Sequence, residues 1–345
     1  MPSVTPAMTS DLVESLGDLQ TEQRNAKTSQ IDTVSTLELC QIINDQDQAV
    51  ADAVKLCLPE IAQAIDLIVP RIAAGGRLVY IGAGTSGRLG VLDASEIPPT
   101  FSAPPWQFVG LIAGGDRALR TAVEGAEDSE SLAEEEMAAA LNPPLGPNDV
   151  VIGIASSGRT PYVLGGLRHA KAVGAATIGL ACVQPSRMRE PEMCDVLIEC
   201  VTGPEVVTGS TRLKAGTATK LILNMISTGS QIRNGKTFGN LMIDLQMSNE
   251  KLRDRARRVL RTVVAPNGTT NGTTNGTTNG SGTSTPVHSI DDAAVDELLA
   301  GCDGSVKLSI LVAKSGLSPD KARVVLQKSG GMLSKALRSI DQQKI

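Results

Sequence analysis

Five carboxylates in two short stretches are the residues of this sequence best suited to proton chemistry. Asp93 and Glu96 lie one helical turn apart in the stretch DASE, and Glu124, Glu127 and Asp128 belong to the stretch EGAED. The chain has only two histidines, so a general acid and a general base are expected to be carboxyl groups. An acidic helix is also commonly a solvated surface, so the residues alone do not choose among the acids of the second stretch.

Three other stretches combine hydroxyl groups, glycine and a basic residue. They are TSGR at residues 85–88, SSGRT at residues 156–160 and TGSTR at residues 208–212, the last followed closely by Lys214. After the strands of a parallel sheet, such loops lead into helix N-termini, whose free N–H groups favour anions. Hydroxyl groups both donate and accept hydrogen bonds, which suits a phosphate monoester and sugar hydroxyls.

The first of these stretches also fits the G-x-G-x-x-G pattern of a dinucleotide-binding loop, at residues 82–87. A dinucleotide site needs an acidic residue about 20 positions further on for the ribose hydroxyls. The candidate acid, Asp116, lies beyond that distance and follows two glycines. The repeated hydroxyl loops therefore favour a sugar phosphate over NAD, and no cofactor is expected. Arg88 and Arg159 could bind the anion or could be surface residues.

Five apolar runs predict the elements that must position these groups. They are RLVYIGAG, FVGLIAGG, DVVIGIASSG, ATIGLACV and DVLIECVTG. Each is apolar along its whole length, as in parallel strands that are covered on both faces, and helix-like stretches separate them. The sequence therefore predicts an α/β fold with an open, doubly wound, mostly parallel sheet, and it places the hydroxyl loops at the carboxyl ends of the strands.

The composition argues against several kinds of partner. Aromatic residues make up 2% of the chain and the formal net charge is -5, so base-stacking platforms and a basic surface for nucleic acid are not expected. No apolar stretch is long enough to cross a bilayer, and the N-terminus lacks the pattern of a signal peptide. The six cysteines form no C-x-x-C pair, so no metal site is expected and a reducing cytoplasm fits best.

Longer motifs identify a family. Five stretches of the chain resemble the bacterial N-acetylmuramic acid 6-phosphate etherases. They are IGAGTSGRLGVLDASEIPPTF, GLIAGGDRALRTAVEGAEDS, GIASSGRTPYVLGGL, GPEVVTGSTRLKAGTATKLILNMIST and GKTFGNLMIDL. These enzymes are built on a sugar isomerase (SIS) phosphosugar-binding domain and are related to the glucokinase regulatory proteins of animals. The resemblance covers residues 28–258 and resumes after residue 290. It implies a cytoplasmic enzyme of cell-wall recycling that works as a homodimer, in which neighbouring subunits complete each site.

The resemblance also implies a reaction and the residues that perform it. Family members cleave the ether between C3 of the sugar and D-lactate by elimination and then hydration, which gives N-acetylglucosamine 6-phosphate. Matching the family pattern makes Glu96 the proton donor and Glu127 the other acid/base residue, and our hypothesis is that Glu127 is the base at C2. Burial beside Pro98 and Pro99 is expected to keep Glu96 protonated. The residues expected to bind substrate are Thr85, Ser86, Gly87, Ser156, Ser157, Thr160 and Lys214.

The chain is expected to divide into six segments. They are an unassigned N-terminal extension (1–27), an N-terminal helical segment (28–67), the SIS domain (68–231), a helical extension (232–264), a low-complexity linker (265–290) and a helical module (291–345). The linker is predicted from the recurring tetrad NGTT, which has no apolar side chain to bury. The last segment is expected to hold three helices and resembles the ubiquitin-associated-like module of the family.

Two other functions use a domain of this kind. A sugar-phosphate sensor of the glucokinase-regulator type would bind without turnover, but a pure binder needs no pair such as Glu96 and Glu127. An isomerase or a glutamine-using amidotransferase is disfavoured because the chain lacks an N-terminal cysteine nucleophile and an obvious isomerase histidine. The etherase is therefore the favoured function, and the sensor is the alternative.

Overall fold

The structure is a computed structural model that describes residues 16–191, 193–244, 250–264 and 292–343. The chain divides into two compact units, one made of residues 1–98 and 103–230 and the other of residues 99–102 and 231–345. The expected linker at 265–290 lies outside the described residues. Within the described ranges, no helix combines the length and the apolar character needed to cross a bilayer.

The chain up to residue 233 alternates helices and strands. In order, its elements are α1 (Thr36–Lys55), α2 (Leu58–Ala73), β1 (Leu78–Gly82), α3 (Gly84–Phe101), β2 (Phe108–Ile112), α4 (Arg117–Arg120), α5 (Leu132–Ala140), β3 (Val150–Ile154), α6 (Pro161–Ala172), β4 (Ala176–Ala181), β5 (Val196–Glu199) and α7 (Lys214–Arg233). Each of the five predicted apolar runs contains one strand, which confirms the prediction.

The five strands form one parallel sheet in the order β2-β1-β3-β4-β5. The chain goes from β1 outward to β2 and then returns to β3 on the other side of β1. Loops that leave the carboxyl ends of β1 and β3 therefore diverge and open a crevice between them, which is where sheets of this kind bind ligands.

Helices cover both faces of the sheet. Gly90 of α3 lies so close to β1 that an added Cβ would be 2.9 Å from Cβ of Tyr80, and Gly166 of α6 is equally close to Ile81, with 2.4 Å to its Cδ1. Successive residues of a strand point to opposite faces, so α3 and α6 pack on opposite sides of β1. This arrangement confirms the predicted doubly wound sheet.

A buried ion pair joins the amino ends of β1 and β3. Arg77 donates from Nε to Oδ1 of Asp149 at 3.0 Å and from Nη2 to Oδ2 at 2.6 Å, and both side chains are less than a tenth exposed. Burial raises the pKa of the Asp149 carboxyl, but hydrogen bonds from Arg77 and from the backbone of Gly146 outweigh it and hold the pKa below its ordinary value.

The N-terminal helical segment begins as predicted. Ser35 caps α1 by accepting a hydrogen bond from the N–H of Glu38 at 3.3 Å. The single helical stretch expected after it forms two helices, because Pro59 lies in the first turn of α2 and has no N–H to continue α1. Helix α2 then runs on to Ala73.

The second unit contains a small antiparallel hairpin and helices. Its elements after residue 233 are β6 (Thr237–Phe238), β7 (Leu241–Met242), α8 (Glu250–Val264), α9 (Asp292–Ala300), α10 (Val306–Ser315), α11 (Pro319–Lys328) and α12 (Leu333–Gln343). Residues 292–343 thus form four helices where three were expected, because breaks at residues 301–305, 316–318 and 329–332 divide the stretch. The core of this unit includes Leu260, Ile310 and Leu311, each at most 1% exposed.

Candidate active site

A cavity of about 490 Å³ opens at the carboxyl ends of β1 and β3. The loop between β1 and α3 forms one wall, and the loop between β3 and α6 forms another. Its lining includes six of the nine residues expected to act in catalysis or to bind substrate, namely Thr85, Ser86, Glu127, Ser156, Ser157 and Thr160. The structure therefore brings residues of all three hydroxyl loops to one place, with Thr211 from the third, and adds the candidate carboxylates Glu127 and Asp128.

The glycines of the first loop serve the turn between β1 and α3. A Cβ at Gly87 would lie 2.5 Å from the carbonyl oxygen of Gly82, and one at Gly82 would lie 2.8 Å from N of Gly87. Gly87 is buried and donates its N–H to Ala83 at 3.2 Å. The glycine pattern thus permits a tight strand-to-helix turn. Thr85 and Ser86, in the first turn of α3, face the cavity.

The second loop is held by contact with the chain after β4. Gly158 has a φ of +67°, and a Cβ there would lie 2.3 Å from Cβ of Ser186. The carbonyl oxygen of Gly158 accepts a hydrogen bond from the N–H of Arg187 at 3.0 Å. Thr160 precedes α6 and makes no capping bond with its side chain, so its hydroxyl is available to the cavity.

The basic residues near the loops have different surroundings. Arg88 donates to the carbonyl oxygens of Leu119 and Ala118, at 3.0 and 2.6 Å, and so binds the end of α4 instead of facing the cavity. Arg159 lines the cavity, as does Arg187, which sequence reasoning missed. Burial, followed by the charge of Arg187, lowers the pKa of Arg159.

Lys214 lies at the start of α7 and is 4% exposed. Its Nζ donates to the carbonyl oxygen of Thr202 at 3.0 Å, and its backbone N–H and that of Ala215 donate to the buried carboxylate of Glu205, each at 3.0 Å. Burial lowers the pKa of the Lys214 ammonium. The lining of the cavity includes Thr211 from the third hydroxyl loop but not Lys214.

Glu127 is the member of the EGAED stretch that was assigned as a base, and it reaches the cavity together with Asp128. Both belong to a short 3-10 helix, Ala126–Asp128, that follows Gly125 with a φ of +76°. Their side chains are exposed. Glu124 is exposed and does not line the cavity, so the geometry separates it from the other two acids.

Glu96 lies outside this cavity, and its side chain is 59% exposed, with Oε2 at 3.5 Å from Nζ of Lys220. The expectation that Glu96 is buried is therefore wrong for this chain. The buried carboxyl of the stretch is Asp93, which accepts hydrogen bonds from Tyr80 at 2.8 Å and Ser227 at 3.1 Å. Burial raises the pKa of Asp93. Positions 93 and 97 of α3 face inward, which turns position 96 outward.

Glu22 also lines the cavity, although it belongs to the segment that received no assignment from its sequence. Only tertiary contacts bring it there, and no local pattern marked it.

In the part of the chain that the structure describes, no group of three or more His, Cys, Asp or Glu residues is placed to hold a metal ion.

Comparisons with known proteins show the family of this chain. The family model of the glucokinase regulatory protein N-terminal SIS domain matches residues 60–171. The N-acetylmuramic acid 6-phosphate etherase of Rhodopirellula baltica is 47% identical over 94% of this chain and 98% of that protein. The enzymes of the same name from Clostridium beijerinckii and Vibrio vulnificus are 48% and 47% identical over 95% and 93% of this chain, and each match spans 98% of the relative. The chain belongs to the N-acetylmuramic acid 6-phosphate etherase family.

Proposed function

We propose that this protein is an N-acetylmuramic acid 6-phosphate etherase, a carbon–oxygen lyase that releases D-lactate and N-acetylglucosamine 6-phosphate in the cytoplasm during recycling of cell-wall sugars. One observation supports the proposal most strongly. Glu127 shares a cavity with the hydroxyl loops at the N-termini of α3 and α6, in a chain that is 47% identical to a named etherase over nearly its whole length.

The hydroxyl loops are suited to the phosphate of the substrate. The first N–H groups of a helix have no partner within the helix, and its dipole favours negative charge at that end. Ser86 and Thr85 add hydroxyl donors at the start of α3, and Ser156, Ser157 and Thr160 add them before α6. In this proposal the phosphate lies between the two helix N-termini, while Arg159 raises the positive potential of the wall.

The chemistry is an elimination from the open-chain sugar followed by addition of water. Glu127 removes the proton at C2, which the neighbouring aldehyde makes acidic, and the electron pair forms a C2–C3 double bond as the C3–O bond breaks. Glu96 gives its proton to the departing lactyl oxygen. Water then adds at C3 and a proton returns to C2. Glu127 is exposed beside Asp128, so the proposed base is open to the cavity and to solvent.

The active assembly in this proposal is a homodimer. Glu96 lies outside the cavity that contains Glu127, so its proton reaches the sugar only when a neighbouring subunit completes the site. Lys220 is 3.5 Å from Glu96 and 3.6 Å from Asp93, which connects the exposed acid to the buried one on the same helix.

Release of D-lactate from N-acetylmuramic acid 6-phosphate tests the function. The parent protein should release it, whereas Glu96→Gln and Glu127→Gln should not. Glu124→Gln is the matched control, because Glu124 lies in the same acidic stretch but outside the cavity, and it should release lactate like the parent.

A sensor is the second candidate, and the match to the regulatory-protein SIS domain over residues 60–171 favours it. A sensor would bind the sugar phosphate and release no lactate. If the folded parent protein binds the sugar phosphate and releases no lactate, the proposed function becomes that of a sensor and the etherase is rejected.

A further inference from the structure

The segment from residue 16 to residue 28 is fixed on the first unit by alternating contacts. Leu19 and Thr21 are 1% and 0% exposed. Gln20, between them, donates to the carbonyl oxygen of Gln184 at 2.7 Å and accepts from the N–H of the same residue at 3.1 Å. These contacts hold the segment, which consists of 3-10 helices and turns, against the loop that also contains Arg187.

Two further hydrogen bonds attach the same segment to the loop before α7. Thr28 donates from its hydroxyl to the carbonyl oxygen of Val206 at 2.9 Å, and Asn25 donates to that of Pro204 at 3.2 Å. Residues on both sides of Glu22 are therefore held in place. The backbone at Glu22 is thereby ordered before any ligand binds, so binding need not supply the free energy of ordering it.

Glu22 reaches the cavity over a glycine. Gly209 has a φ of +74°, and a Cβ at this position would lie only 2.9 Å from Oε2 of Glu22. The missing side chain at Gly209 thus leaves room for the carboxylate, which lines the cavity with Thr211 and the hydroxyl loops. Among the described residues, the Glu22 carboxylate makes no hydrogen bond and no ion pair, whereas the residues around it are well anchored.

We propose that Glu22 is a substrate-binding residue that accepts hydrogen bonds from the hydroxyl groups of the sugar. An ionised carboxylate is an acceptor only, and it repels the phosphate and the lactyl carboxylate of the substrate. The donors that remain on the ligand are the hydroxyl and amide groups. This inference rests on the proposed function only in taking a sugar phosphate as the ligand.

Binding without turnover tests this assignment. The probes are N-acetylglucosamine 6-phosphate and inorganic phosphate, with calorimetry on full-length protein. In Glu22→Gln, affinity for the sugar phosphate should fall about tenfold or more, as expected when a hydrogen bond to a charged group is lost. Affinity for inorganic phosphate should stay the same or rise, because one negative charge has been removed from the wall. The exposed Glu38→Gln variant has the same charge change away from the cavity and should match the parent with both probes.

Two results would overturn the inference. Unchanged or tighter sugar-phosphate binding in Glu22→Gln would show that the carboxylate contacts no sugar hydroxyl. An equal loss with both probes would show that Glu22 acts on the phosphate loops instead. If the glutamine variant does not fold, Glu22→Asp keeps the charge but shortens the side chain by one methylene, so it should weaken binding of the sugar phosphate and leave binding of inorganic phosphate unchanged. A parent that binds the sugar phosphate but releases no lactate would refute the etherase and leave this inference intact.

Discussion

Gly158→Ala tests whether close packing against Ser186 holds the second hydroxyl loop. The φ of Gly158 is +67°, in the left-handed region that costs a residue with a Cβ about 1–2 kcal/mol. The added Cβ would lie 2.3 Å from Cβ of Ser186 and 3.1 Å from its Cα, and relieving such overpacking costs about 1–3 kcal/mol. Together the two costs should lower the free energy of unfolding by about 2–5 kcal/mol.

Gly115→Ala is the matched control for this substitution. Gly115 has a φ of +70°, and a Cβ there would meet no atom within 4 Å, so only the backbone cost of about 1–2 kcal/mol applies. Urea unfolding followed by the fluorescence of Trp106, the single tryptophan of the chain, reports on the first unit. Equal losses for the two alanine variants would refute the argument that Ser186 fixes the loop.

Three further predictions follow from the ion pair at the amino ends of the strands and from the two carboxylates proposed to be catalytic. Asp149→Asn leaves the buried guanidinium of Arg77 without its counter-charge and should cost about 3–5 kcal/mol in urea unfolding. Because the folded state lowers the pKa of Asp149, its contribution to the free energy of unfolding is present above about pH 4 and is lost as the pH falls through the folded pKa. The stability of the parent should therefore fall more steeply in acid than that of Asp149→Asn. Parallel curves of stability against pH would contradict this. By proton NMR in D₂O, Glu127→Gln should abolish exchange of the substrate's C2 proton while Glu96→Gln retains it, and exchange by Glu127→Gln would remove that residue from the role of base.

The strands and the hydroxyl loops could be predicted because their signals are local. A run such as VVIGI is apolar along its length since both of its faces are covered, as the burial of every residue of β3 shows. Glycine and hydroxyl residues directly after such runs must lie at the carboxyl edge of a parallel sheet. The positions of Ser86 and Ser156 could therefore be predicted without knowing any contact between residues distant in the sequence.

The surroundings of individual charged side chains could not be predicted in this way. Whether position 93 or position 96 of α3 is buried depends on Ser227 and Lys220 of α7, which are more than 120 residues away in the chain. Arg88 faces the end of α4 because that short helix offers unpaired carbonyl oxygens. Sequence pattern shows that a charge follows a strand, but its partner is set by tertiary packing.

The second unit shows the same limit. Glycine-containing stretches mark places where a helix is able to end. The number of helices depends on which of these stretches interrupt the helical hydrogen bonding in the folded protein. Residues 301–305 form turns with the N–H of Gly304 donating to Leu299 at 2.8 Å, so α9 and α10 are separate helices. The module therefore contains one helix more than the three that were expected.

The length of helix α3 sets the distance between two groups of the proposed reaction. It carries the hydroxyl group of Ser86, proposed to bind the phosphate, and the candidate acid Glu96, ten residues later on the same helix. At about 1.5 Å per residue, the two lie about 15 Å apart along the helix axis, which exceeds the reach from the phosphate to C3 in a single hexose. This spacing supports the proposal that one copy of α3 does not serve both ends of one substrate molecule. In the proposed assembly, each sugar would therefore take its anion site from one copy of α3 and its proton from another, so that catalytic sites would exist only in pairs.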